Sequence, residues 1–166
     1  MRRVLLCVCA AGAFCLAGCG GDPGALGERE LEKFTVTDFS LTTTTGDTVT
    51  LGDHLGRNIV LIAFLGTTME DADRALSGVK RYHEAWGQPL RIIVIYDAAS
   101  ADAIEDHVKK HGLKCTVAVD AGDSVASSYR VKRRPTFVVI SRDGRVIYHG
   151  HTVEIAGMMI DEAMTQ

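Results

Sequence analysis

Hydrophobic and polar positions fall into blocks of different period along this 166-residue chain. Residues 58–65 carry the unbroken apolar run Ile59-Val60-Leu61-Ile62-Ala63-Phe64-Leu65, which predicts a central strand covered on both faces. Across residues 70–86, Ala72, Ala75, Leu76, Val79, Tyr82 and Trp86 recur at helical spacing. Asp73, Arg74, Lys80, Arg81 and Glu84 fall mostly between them, so the segment predicts an amphipathic helix. A second buried strand over 90–96, a helix over 101–111 closed by Gly112, a short strand over 116–119 and a short helix over 123–129 follow. Strand and helix alternate, which calls for parallel neighbours. Strands over 136–141 and 145–149 are joined by the turn Arg142-Asp143-Gly144. A last helix over 153–164 would bury Ala156, Met159, Ile160 and Ala163. Ahead of all this, Phe34, Val36, Phe39 and Leu41, then Val49 and Leu51 across Thr45-Gly46-Asp47, predict a leading β-hairpin. The fold class is α/β with a mixed central sheet flanked by helices, in one domain without internal repeats.

Upstream of residue 34 the pattern changes. Arg2 and Arg3 precede an apolar run over 4–16 that is too short for a stable bilayer anchor. Leu16-Ala17-Gly18-Cys19 then resembles the lipobox of bacterial lipoproteins, in which the cysteine thiol takes a diacylglyceryl group and becomes the new N-terminus. The predicted organisation is a lipoprotein signal peptide over 1–18, a flexible glycine-rich tether over 19–33 and a folded domain over 34–166. The expected location is the bacterial cell envelope, with the membrane as partner through a lipid on Cys19. Gly20 lacks the aspartate that resembles an inner-membrane retention signal, so the expectation leans to the periplasmic face of the outer membrane.

Charge and cysteine content narrow the chemistry. The chain has 18 Lys and Arg against 21 Asp and Glu. Loss of Arg2 and Arg3 with the leader leaves 16 against 21, a balance without the field needed to hold nucleic acid through its phosphates. Cys7, Cys9 and Cys15 would leave with the leader and lipid would consume Cys19, so Cys115 is the one thiol remaining. An intramolecular disulfide or reversible dithiol is then impossible.

The element order and several local strings resemble the thioredoxin-like proteins of the bacterial envelope, the TlpA/ResA and AhpC/TSA (redoxin) group. The strings are Phe39-Ser40-Leu41 through Gly46 and Leu51, residues 58–64, Tyr129-Arg130-Val131, Arg134-Pro135-Thr136-Phe137-Val138-Val139-Ile140, and Asp143-Gly144-Arg145-Val146. The resemblance implies a thioredoxin-like fold from Phe34 to the C-terminus. It also implies an active-site loop reading Trp-Cys-x-x-Cys, where this chain has Thr68, Met69, Glu70, Asp71 and Ala72. Both thiol positions are lost. A redoxin with a single cysteine would carry it at Met69, so that variant is missing too.

Thioredoxin chemistry needs a thiolate stabilised by the free N–H groups and dipole of a helix N-terminus, and a thioether cannot ionise. Thr67 with Glu70, or Thr68 with Asp71, instead matches the spacing of a capping box. The resemblance further implies that Pro135 follows a cis peptide bond and borders a substrate groove. It would set the cluster Lys132-Arg133-Arg134 opposite the acidic Glu70-Asp71-Asp73 turn. Thr67, Thr68, Met69, Arg134 and Pro135 are therefore the candidate ligand-binding residues.

Cys115 aligns with an ordinary core position, and the pairs His107/His111 and His149/His151 lack a third metal ligand. No cofactor or metal is expected. The sequence thus predicts a redox-inactive thioredoxin-fold envelope lipoprotein that binds a peptide, protein or small ligand at the altered face and has no catalytic residues. The alternative is a redoxin-type thiol-disulfide oxidoreductase or peroxidase using Cys115 or a partner's thiol.

Overall fold

The structure is a computed structural model that describes residues 22–67, 72–97 and 101–165. The leader, Cys19 and four of the candidate site residues, Thr68, Met69, Glu70 and Asp71, lie outside the described residues, as do the expected capping boxes.

The elements run α1 (Glu28–Leu31), β1 (Ser40–Thr42), β2 (Thr48–Thr50), β3 (Ile59–Leu65), α2 (Ala72–Trp86), β4 (Leu90–Tyr96), α3 (Ala101–His111), β5 (Thr116–Val119), α4 (Ser124–Ser128), β6 (Thr136–Ile140), β7 (Val146–Gly150) and α5 (Val153–Met164). The leading hairpin is shorter than its apolar residues suggest. β1 and β2 pair with Leu41 opposite Val49, while Phe34 and Phe39 lie ahead of the strands as buried plugs.

Five strands form the main sheet in the order β5-β4-β3-β6-β7. β3, β4 and β5 are parallel; β6 and β7 are antiparallel. β3 sits at the centre, and its apolar run has a direct cause. Ile59, Leu61, Ala63 and Leu65 face one core cluster with α2, α3 and α5, while Val60, Ile62 and Phe64 face a second with Phe34, Phe39, α4 and Tyr129. A strand buried on both sides has no polar face to show.

Glycine sets how closely α2 and α5 approach. A Cβ on Gly78 would meet Val153, and one on Gly157 would fall on the Tyr82 ring and hydroxyl. Trp86, at the far end of α2, donates its indole N–H to Asp161 of α5 at 2.8 Å.

The expected tether needs correction from Asp22 onward. The Asp22 carboxylate accepts hydrogen bonds from the backbone N–H groups of His151 and Thr152 and from the Tyr148 hydroxyl. Arg133 donates to the Pro23 carbonyl at 2.7 Å, and the Leu26 N–H donates to the His149 carbonyl at 2.9 Å. Ala25 packs against one core cluster, Leu26 and Leu31 against the other. Glycine content and alternating charge suggested free chain, but neither reports that one carboxylate finds three donors at the start of α5. Packing against the domain reaches back from Phe34 to Asp22, the first described residue.

Candidate functional site

Strand register gathers the site at one end of the sheet. Leu65 is level with Tyr96, and Phe64 with Thr136, so the exit of β3, the exit of β4 and the entry to β6 share that end. Thr67, half-buried, follows β3 there, and Ala72, buried, opens α2. Pro135 lies at the same end, one residue before β6, and the Arg134–Pro135 peptide bond is cis. Among the described candidates, the fold therefore brings Thr67, Ala72, Arg134 and Pro135 together.

A cavity of about 270 Å³ opens beside Pro135, walled by Asp22, Pro23, Ala75, Arg133, Phe137 and His151. Arg74 of α2 and Glu154 of α5 also line it and form an ion pair at 2.9 Å. His151 fixes the proline loop. Its Nδ1 lies 2.8 Å from the Pro135 carbonyl, an oxygen that can only accept, so Nδ1 carries the proton. The Thr136 hydroxyl donates to the Arg133 carbonyl at 2.6 Å and lies 3.2 Å from the same Nδ1. These contacts hold the backbone on both sides of the cis bond.

Of the acids that the resemblance sets opposite the basic cluster, Glu70 and Asp71 lie outside the described residues. Arg134 pairs with Asp123 and, at 3.7 Å, with Asp97 beyond the end of β4. Asp73 turns instead to α3, where Lys110 lies at 3.0 Å and His111 Nε2 at 3.1 Å. The hydrogen bond and charge of Lys110 hold the Asp73 carboxyl below its ordinary value. Among the described residues, Asp123 and Asp97 share the charge of Arg134.

Neither histidine pair gathers a metal-binding group of three or more His, Cys, Asp or Glu among the described residues. His149 is buried, with Nε2 donating to the Tyr129 carbonyl at 2.7 Å. Burial pushes its imidazole down from the usual value of 6.5, against the opposing pull of that hydrogen bond. Protonation therefore favours the unfolded chain: His149 stabilises fully above pH 6.5 and the contribution is lost as pH falls toward the folded-state value. His149→Gln keeps an N–H donor without the titration, so the rise in Tm between about pH 5 and 7, the range histidine titration controls, should become shallower in thermal melts.

Cys115 is a free, half-buried thiol. It precedes Val119 by four residues, and Val119 is level with Tyr96. At about 3.3 Å per residue, Cys115 lies about 13 Å down the sheet from the proline loop's end. Burial pushes its thiol up to about 11.

The family model for the AhpC/TSA family matches residues 34–149, from the first core phenylalanine to the buried histidine of β7. The chain belongs to the AhpC/TSA family. Among curated relatives, thiol-disulfide oxidoreductase ResA of Bacillus thuringiensis (strain Al Hakam) is 28% identical over 120 residues, covering 72% of this chain and 66% of the relative. ResA of Bacillus subtilis (strain 168) is 26% identical over 111 residues, covering 66% of this chain and 62% of the relative. The match thus spans just under two thirds of the relatives' length. A secreted Mycobacterium tuberculosis disulfide oxidoreductase homologous to E. coli DsbE superposes with a TM-score of 0.67 at 17% identity, over 82% of this chain and 99% of that one. A thiol-disulfide oxidoreductase from Bacteroides fragilis NCTC 9343 does so with a TM-score of 0.69 at 18% identity, over 77% and 98%. These structures share the thioredoxin-like fold.

Three site residues carry weak signals in the sequence. Asp22 shows only as an Asp-Pro turn after two glycines. Asp97 and Asp123 are acids after predicted elements, and the Arg134 pairing appears only once β4, α4 and β6 meet at one end.

Proposed function

We propose that this AhpC/TSA member is a redox-inactive lipoprotein of the bacterial envelope, anchored through Cys19, that binds a peptide or small ligand in the cavity beside Pro135. The observation that carries the reading is a mismatch. A cavity opens beside Pro135, where the family resemblance sets a substrate groove, while Met69 and Ala72 stand where the resemblance calls for thiols. Arg134 and Pro135 of the candidate residues line that cavity, with Arg133 and His151 added by its geometry; Thr67 lies at the same end of the sheet, and Thr68 and Met69 lie outside the described residues. The lipobox at Leu16–Cys19 and the likeness to a secreted homologue support an envelope location, and Gly20 favours the outer membrane.

A redox role for Cys115 finds little support. With its thiol pushed up to about 11, about one molecule in ten thousand is thiolate at pH 7. Alkylation of native protein by iodoacetamide should therefore run at least ten times slower than alkylation of the unfolded chain, read by intact mass.

A photoreactive residue at Arg133, introduced in the intact lipoprotein in its own envelope, tests the binding role. Expected is a discrete crosslinked species that is absent when the residue replaces Gln88, and absence of any such species removes the reading. The purified domain should consume no dithiol or hydroperoxide above a protein-free blank, with or without Cys115→Ser.

A further inference from the structure

We infer that residues 22–26 are a fixed strap rather than a tether, and that they hold the face carrying the Pro135 cavity against the lipid bilayer. The inference rests on the anchoring at Cys19 proposed above and deepens it by naming which face the membrane meets.

Covalent reach decides the matter. A free tether running from Cys19 to Phe34 would let the domain stand up to about 50 Å from its acylated residue, in any orientation. The strap shortens that leash. Asp22 is three residues from Cys19, so its Cα can be no more than about 11 Å from that of the acylated residue. Asp22 is also part of the cavity wall, held by the His151 and Thr152 N–H groups and the Tyr148 hydroxyl. Pro23 continues along the wall under Arg133, Ala25 enters the core, and the Leu26 N–H bonds β7. An anchor pulling at residue 19 therefore pulls on the cavity rim itself.

Charge on this face fits the same partner. Arg130, Lys132 and Arg133 are exposed beside the strap, with the Arg130 guanidinium over the Phe34 ring at 5.1 Å. The chain as a whole carries more acid than base. An anionic headgroup layer attracts this basic fringe, against the exposed Glu28, Glu30 and Glu32 that follow the strap. Helices α2 and α5 run away from this face, so Trp86, at the end of a 15-residue helix, lies about 22 Å along α2 from the cavity end.

The test uses the complete lipoprotein, matured in a bacterial envelope and reconstituted into vesicles of phosphatidylethanolamine and phosphatidylglycerol containing a headgroup nitroxide lipid. Trp86 is the only tryptophan of the chain, so it serves as the far probe. Lys132→Trp in a Trp86→Phe background supplies the near one. Quenching at position 132 should exceed quenching at 86 by at least threefold, and Asp22→Ala should at least halve that ratio. Intact mass on the same samples reports the acyl chains. Absence of acylation overturns the anchor and this inference together. Acylated protein with equal quenching at the two positions, or with a ratio indifferent to Asp22→Ala, overturns the strap geometry and leaves the anchor standing.

Discussion

Met69→Cys combined with Ala72→Cys should convert a domain that leaves insulin disulfides intact into one that reduces them with added dithiothreitol at least tenfold faster than the parent. Ala72 is the first described residue of α2, and the family resemblance sets both thiol positions at a helix N-terminus, where leading N–H groups and dipole favour negative charge nearby. A thiol in that setting falls from about 8.5 toward about 7, which raises the thiolate fraction at neutral pH from a few per cent to about half. Glu70 and Asp71 lie between the two positions, and their charge tempers the shift, so activity below that of a native dithiol enzyme is expected. The cavity beside Pro135 offers a place for a substrate strand under the proposed reading. Cys115→Ser in the same background should change nothing, because that thiol sits at the opposite end of β5 and is held protonated by burial. A double-cysteine variant that stayed at parental rates would mean that more than sulfur separates this chain from its relatives. The comparison of insulin turbidity rates between parent and variant decides it.

The core elements were legible because their signal is local. β4, α3, β5 and α5 fall on the ranges that periodicity predicts, and β3 and β6 differ from it by one residue at one end. Apolar runs, helical spacing and turn glycines act within a few residues, and tertiary contacts here agree with them. The leading hairpin was only partly legible. Phe34 and Phe39 serve the second core cluster as isolated plugs, and an alternating pattern cannot tell a plug from a strand residue.

The site was legible in its residues and not in its charges. Arg134, Pro135 and Ala72 lie at one end of the sheet, and the described partners of Arg134 are Asp97, just after β4, and Asp123, just before α4. An ion pair between segments far apart in sequence depends on where strands end in space, and composition carries no such information. The strap is the strongest case. Its apolar residues are too few to predict burial, yet Asp22 is fixed by donors more than a hundred residues away.

Gly157→Val should produce a large loss of stability by overpacking the buried contact between α2 and α5. Even the Cβ of an added side chain would fall on the Tyr82 ring and hydroxyl, and Tyr82 is buried in the cluster that α2 and α5 share. The ring has little room to retreat, since Arg81 donates to its hydroxyl at 2.9 Å and β3 and β4 lie behind it. Overpacking of this kind costs about 1–3 kcal/mol, and more where a backbone must move. For a domain near 150 residues, that lowers Tm by about 3–10 °C, read by circular dichroism. The effect should extend to function, because Ala75 and Arg74 line the cavity from α2 while Val153 and Glu154 line it from α5. Separating the helices breaks the Arg74–Glu154 pair and widens that wall, so crosslinking at Arg133 should fall with stability. Tyr82→Leu makes room for the new side chain, and the double variant should recover at least half of the lost Tm. Recovery larger than additivity marks the two positions as direct neighbours. Additive losses would place the cost of Gly157→Val in the helix backbone instead, and the close approach of α2 to α5 would no longer account for the cavity's shape.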